Sequence, residues 1–125
     1  MLDLTSIVQG IRKIKKVQAI YLFGSQARGE AGPLSDTDIC VITSVISERE
    51  RNIILSYGSK KVDIVLFQDL PLTLQVRVFR EGKALYVTNQ RLLDELSWRI
   101  LKEYFDFKPI LKEFMETYIP GANYV

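Results

Sequence analysis

Along residues 3–16, Leu4, Ile7, Val8, Ile11 and Ile14 recur every three or four positions, while Arg12, Lys13, Lys15 and Lys16 fall largely on the other side. That spacing predicts an amphipathic helix with a solvated basic face. A β-prone run follows from Val17 to Phe23 and is broken by Gly24. Ser25 to Glu30 predicts a short helix opened by Ser25, with Gly32-Pro33 ending it. Asp38 to Thr43 and Val62 to Phe67 read as buried strands. Between them a helix is expected over Ser47 to Leu55, where Ser47 and Glu50 have capping-box spacing. Pro71 opens another helix through Phe79 that Gly82 stops, and Lys83 to Val87 predicts an edge strand. From Asn89 to Tyr118 the pattern is helical, with a break or kink expected at Pro109.

This alternation predicts a small α/β (α+β) sandwich with helices packed on a sheet. The chain has 125 residues, 47% of them hydrophobic and 26% charged, which suits one domain with one core. The expected division is a core over 1–87 and a helical C-terminal extension over 88–125. In that extension Leu93, Leu96, Ile100, Tyr104, Phe107, Leu111, Phe114 and Tyr118 form one stripe. Leu92, Leu101, Phe105, Ile110, Met115 and Ile119 widen it beyond what one small sheet needs to cover, so it reads either as core or as a contact with another chain, a second copy included.

Composition narrows the chemistry. There is no histidine and a single cysteine, Cys40. Ser-His-Asp and Cys-His catalysis, His-containing zinc sites and an internal disulfide are all excluded. A net charge of +2 does not point to nucleic acid, and the basic run Arg12 to Lys16 lacks interleaved aromatics. No apolar run approaches a membrane span, and the N-terminus does not read as a signal peptide, so a cytoplasmic location without a membrane is expected. Any catalysis must run on carboxylates, hydroxyls, Lys, Arg and a hard metal ion.

The chemistry concentrates in one stretch. Gly24-Ser25 is followed by ten residues and then Asp36-x-Asp38, which leads into an apolar strand, and Asp63 sits inside the next apolar strand. Side chains alternate along a strand, so Asp36 and Asp38 share a face about 7 Å apart. If the Asp63 strand pairs beside them, three carboxylates converge. Like charges so close raise at least one pKa, and a divalent cation relieves the conflict. An all-oxygen set suits Mg²⁺, with Mn²⁺ as the alternative, and Mg²⁺ sites often combine carboxylates with nucleotide phosphates. A strand ending at Gly24 and a helix opening at Ser25 would aim free N–H groups at an anion, and Arg28 lies about one helical turn further on.

Gly-Ser, ten residues, Asp-x-Asp and a later strand Asp together resemble the nucleotidyltransferase superfamily that includes DNA polymerase beta and the kanamycin nucleotidyltransferases. The short chain, with Ala27-Arg28-Gly29 and Ser35 flanking the motif, is most similar to the minimal nucleotidyltransferase branch, whose members often pair with HEPN-domain toxins. Thr37, between the two acids, and Cys40 depart from that pattern. The resemblance implies a short mixed sheet with helices packed on it, and transfer of a nucleoside monophosphate with release of pyrophosphate. It implies that Asp36 and Asp38 hold Mg²⁺ against the triphosphate of ATP. Asp63 would complete a second metal position and help deprotonate the acceptor, and Gly24 and Ser25 would anchor the triphosphate. The implied acceptor is a tyrosine hydroxyl of a partner HEPN toxin, making the chain an antitoxin. The alternatives are an antitoxin that works by binding alone and an aminoglycoside-type nucleotidyltransferase. The latter has little room for an acceptor domain after Val87.

Overall fold

The computed structural model describes residues 3–24, 36–119 and 121. Asp3 caps the first helix, α1 (Leu4–Ile11), by accepting a hydrogen bond from the Ser6 N–H at 2.8 Å. The helix stops at Ile11 rather than near residue 16, and the chain descends through tighter turns in which the Ile14 and Val17 N–H groups donate to Ile11 and Ile14. Continued helix would stack Arg12 on Lys15 and Lys16, like charges one turn apart. Two of these cations are instead engaged. Arg12 lies 4.8 Å from the centre of the Tyr86 ring, and Lys16 donates to Glu50 at 3.0 Å.

Strand β1 (Val17–Phe23) pairs antiparallel with β2 (Thr37–Thr43) on one side and with β4 (Lys83–Val87) on the other. Strand β3 (Val62–Leu66) adds to β2 in parallel, giving the order β3-β2-β1-β4. Parallel neighbours need a crossover. Helix α2 (Glu48–Leu55) supplies it, started by the capping box read from the sequence: the Glu50 N–H donates to Ser47 Oγ at 3.1 Å, and the Ser47 N–H to Glu50 Oε1 at 2.9 Å. A 3-10 turn (Phe67–Asp69) then leads to α3 (Leu72–Glu81), with Pro71 at its N-cap and Gly82 at its end. A side chain at Gly82 would crowd the Tyr21 ring and the Leu22 carbonyl at 3.1 and 3.2 Å.

The sheet is covered on both faces. Ile20, Ile39, Val41 and Leu66 pack with Ile7 and Ile11 of α1 and Ile54 of α2. Ala19, Tyr21, Cys40 and Ile42 point the other way, toward Val76 and Val78 of α3 and Leu93, Ile100 and Tyr104 of the last helix. That helix, α4 (Gln90–Tyr118), begins at Asn89, which accepts from the Leu92 N–H, and it runs unbroken through Pro109, contrary to the expected break. Proline deprives the Phe105 carbonyl of its helical donor, but this stretch is exposed and water can serve that carbonyl. The apolar stripe divides accordingly: its first half is core, and beyond Tyr104 it faces solvent. Among the described residues, no helix is long and apolar enough to cross a membrane.

Candidate active site

Strand direction brings the chemistry to one end of the sheet. β1 finishes there at Phe23-Gly24, while β2, β3 and β4 all start there. Phe23 pairs with Asp38 across β1 and β2, and Asp38 stands in register with Asp63 across the parallel pair, where strands lie about 4.8 Å apart. Asp38 alternates with Cys40 and Ile42, and Asp63 precedes Val65, which packs on the same side. Both acids therefore share the α3–α4 face, and Asp36 joins them from the residue before β2. The Thr37 N–H donates to the Lys61 carbonyl at 2.8 Å, tying the start of β2 to the start of β3.

The three carboxylates are not equivalent. Asp36 and Asp63 are exposed, whereas Asp38 is half-buried. Burial first, then the charges of Asp63 and Asp36, push the Asp38 carboxyl above the ordinary carboxylate range. Gly24 explains why Asp38 fits. It has φ +74°, and a Cβ there would collide with the Asp38 carboxylate oxygen Oδ2. Sequence reasoning valued Gly24 for phosphate approach; the structure adds that its missing side chain makes room for Asp38. Only the position of Gly24 at a strand end hints at this, because the contact is tertiary. Cys40 is buried beneath the site and its thiol is pushed up to about 12, which makes it a core residue and not a nucleophile.

Ser25, Arg28, Ser35, the short helix over Ser25 to Glu30 and its Gly32-Pro33 stop lie outside the described residues. Asp63 is on an edge strand and solvent-facing, yet it is also in register with Asp38. Among the described residues no three acidic or thiol groups are gathered closely enough to form a finished metal cage. The donor set still suits a hard cation. It is all oxygen, and the influences on Asp38 all disfavour its charged form. Mg²⁺ is commonly held by one or two carboxylates with substrate phosphates completing the shell, so a finished protein cage is not required. A cleft of about 390 Å³ lined by Gln18, Thr43, Gln75 and Arg99 lies at the opposite end of the sheet, away from the acids.

Residues 5–91, which span every strand and all three acids, match the family described as polymerase beta, nucleotidyltransferase. The chain belongs to the polymerase beta nucleotidyltransferase family. A chain of Methanocaldococcus jannaschii named as a protein adenylyltransferase is 29% identical to this nucleotidyltransferase over 103 residues, covering 80% of each. Among solved structures, a chain of a toxin–antitoxin crystal structure with AMP-PNP superposes with a TM-score of 0.68 at 29% identity, covering 91% of this chain and 99% of that one. A chain from the complex of a tri-AMPylated Shewanella oneidensis HEPN toxin with its MNT antitoxin gives 0.63 at 25% identity, covering 89% and 94%. The four-stranded mixed sheet and long last helix are those of a polymerase-beta-like nucleotidyltransferase.

Proposed function

We propose that this nucleotidyltransferase moves AMP from ATP to a tyrosine hydroxyl of a HEPN-domain toxin and thereby acts as its cytoplasmic antitoxin. The observation that carries the reading is the in-register pair Asp38 and Asp63, with Asp36 beside it and Gly24 clearing the space. Relatives bearing the names protein adenylyltransferase and toxin–antitoxin support the choice of acceptor and of ATP.

Asp36 and Asp38 would hold Mg²⁺, with Mn²⁺ as a substitute, and Asp63 would contribute to a second metal position. The cation supplies positive charge against the triphosphate and lowers the pKa of the acceptor hydroxyl. The chain's own groups do the rest. Gly24, with Ser25 and Arg28 from the segment beyond it, fixes the triphosphate so that the acceptor oxygen faces the α-phosphorus. Asp63, exposed at the strand edge, takes the acceptor proton. The new O–P bond forms as the bond from the α-phosphorus to the β-phosphate oxygen breaks, and pyrophosphate leaves.

The test is incubation with α-³²P-labelled ATP, Mg²⁺ and a co-expressed HEPN-domain partner, with Asp36→Asn and Asp63→Asn alongside. Label is expected on the partner with the native chain and at least 100-fold less with either variant. Equal labelling by the variants refutes the assignment. Full protection of cells by the Asp36→Asn chain would transfer the neutralising role from chemistry to occlusion.

A further inference from the structure

Helix α4 outruns the body of the protein. β4 runs away from the acidic end, so the chain turns at Thr88-Asn89 and α4 begins at the opposite end of the sheet. Leu92, Leu96 and Ile100 lie near the far end with Gln18 and Thr43. Tyr104 shares a cleft with Thr73, Leu74, Arg77 and Arg80 along α3. Tyr104 is also the last buried residue of the helix. The 14 residues beyond it, about 21 Å of helix, contain no buried residue.

This projecting half keeps the spacing of the buried half. Phe107, Leu111, Phe114 and Tyr118 extend the line of Ile100 and Tyr104 at alternating intervals of three and four, the seam of a helix–helix contact, and Ile110 and Met115 widen it. Ile110 is 65%, Phe114 52% and Tyr118 71% exposed, and the rings of Phe114 and Tyr118 meet at a tilt of 43° with centroids 4.9 Å apart. Lys108, Lys112 and Glu113 give the flanks mixed charge. Exposed aromatics within a polar rim are the composition of a recognition surface.

Area decides between occupants. The free surface of these six side chains is on the order of 500 Å². Two copies paired through it would bury about 1,000 Å² in total, well short of the roughly 2,000 Å² or more of an obligate homodimer and within the range of transient encounters. We propose that the distal half of α4 is a docking arm for the acceptor protein, gripping an apolar helical face of it and holding its hydroxyl near the Asp36–Asp38–Asp63 edge. This rests on the reading of the acceptor as a protein, and it adds the surface that recognises it.

The test uses the full chain carrying Phe114→Ser and Tyr118→Ser, with Ile110→Ser as an independent second variant and Tyr118→Phe as the conservative one. Binding of the co-expressed HEPN-domain protein is measured by calorimetry, and AMP transfer to it by steady-state kinetics. The serine variants are expected to raise Kd and KM for that protein at least tenfold, leaving kcat at saturation, Mg-ATP affinity and Tm unchanged. Tyr118→Phe should behave as the native chain. Unchanged Kd and KM overturn the proposal, as does a native dimer that the serine variants split into monomers. If the native chain binds through the stripe but transfers no AMP, docking stands and the transfer reading falls. If all variants transfer with native KM, the reverse holds.

Discussion

At Asp38 the carboxylate is held where its charge is least welcome. Because its pKa is raised on folding, the native state binds that proton more tightly than the unfolded chain. The contribution to stability is therefore greatest below the ordinary carboxylate range and is lost as pH rises through the raised value. Asp38→Asn removes that penalty. The variant should melt higher than the native chain in EDTA near pH 7, with the gap closing as pH falls toward about 4, while AMP transfer drops by two orders of magnitude or more. A native chain that melts higher than the variant at pH 7 would contradict this account. Gly24→Ala should be costly for the opposite reason. A left-handed residue with a Cβ costs about 1–2 kcal/mol and the methyl group displaces Asp38, so denaturant melts and transfer should both fall. The acids and the glycine were legible in the sequence because residue type and spacing carried them. The contact between Gly24 and Asp38 was not, since strand pairing creates it.

At the scale of elements, starts were easier to read than ends. Ser47 and Glu50 announced α2 because a capping box is local, and the structure contains both of its hydrogen bonds. The end of α1 depended on repulsion among Arg12, Lys15 and Lys16 and on the need to enter β1, and the passage of α4 through Pro109 depended on exposure, which spacing does not report. Glu50 gives a test with a definite sign. The Ser47 N–H and Lys16 lower its pKa from 4.5 to about 2, so it stabilises the fold above the ordinary glutamate range and loses that effect as pH falls toward 2. Glu50→Gln should lower Tm by a few degrees at pH 7, with the difference fading by about pH 2–3. A difference that persists there would mean the side chain acts through packing and not through charge.

The whole molecule joins elements far apart in sequence, and this was the least legible level. Short apolar runs identified four strands, with Lys83–Val87 read as the edge strand it is, but nothing local told β3 to lie parallel to β2 or set β4 beside β1. Those choices follow from the crossover through α2 and from burying both faces of one sheet. Fully buried Ile39 follows Asp38 but points to the opposite face, into the core under α1 and α2, so Ile39→Ala should cost about 2–4 kcal/mol in chemical denaturation while leaving Asp36, Asp38 and Asp63 in place. Among the described residues the acids stand at an open edge and not within a closed cage, so EDTA is expected to stop transfer while lowering Tm only slightly, through loss of the charge relief at Asp38 that the cation gave. A large fall in Tm on chelation would instead reveal a structural metal.

Among the described residues β3 is paired on one side only, yet it carries Asp63. An edge strand opens more readily than the strands inside it, so the far half of the carboxylate pair would be the first part to detach in a local fluctuation. A ligand bridging Asp38 and Asp63 would act as a stitch across that boundary. Amide hydrogen exchange at Asp63 and Val65, the β3 residues whose backbone faces β2, should slow when Mg-ATP binds, far more than at Ile20 in the sheet interior. The substrate would then determine how long the margin of its own binding site stays closed.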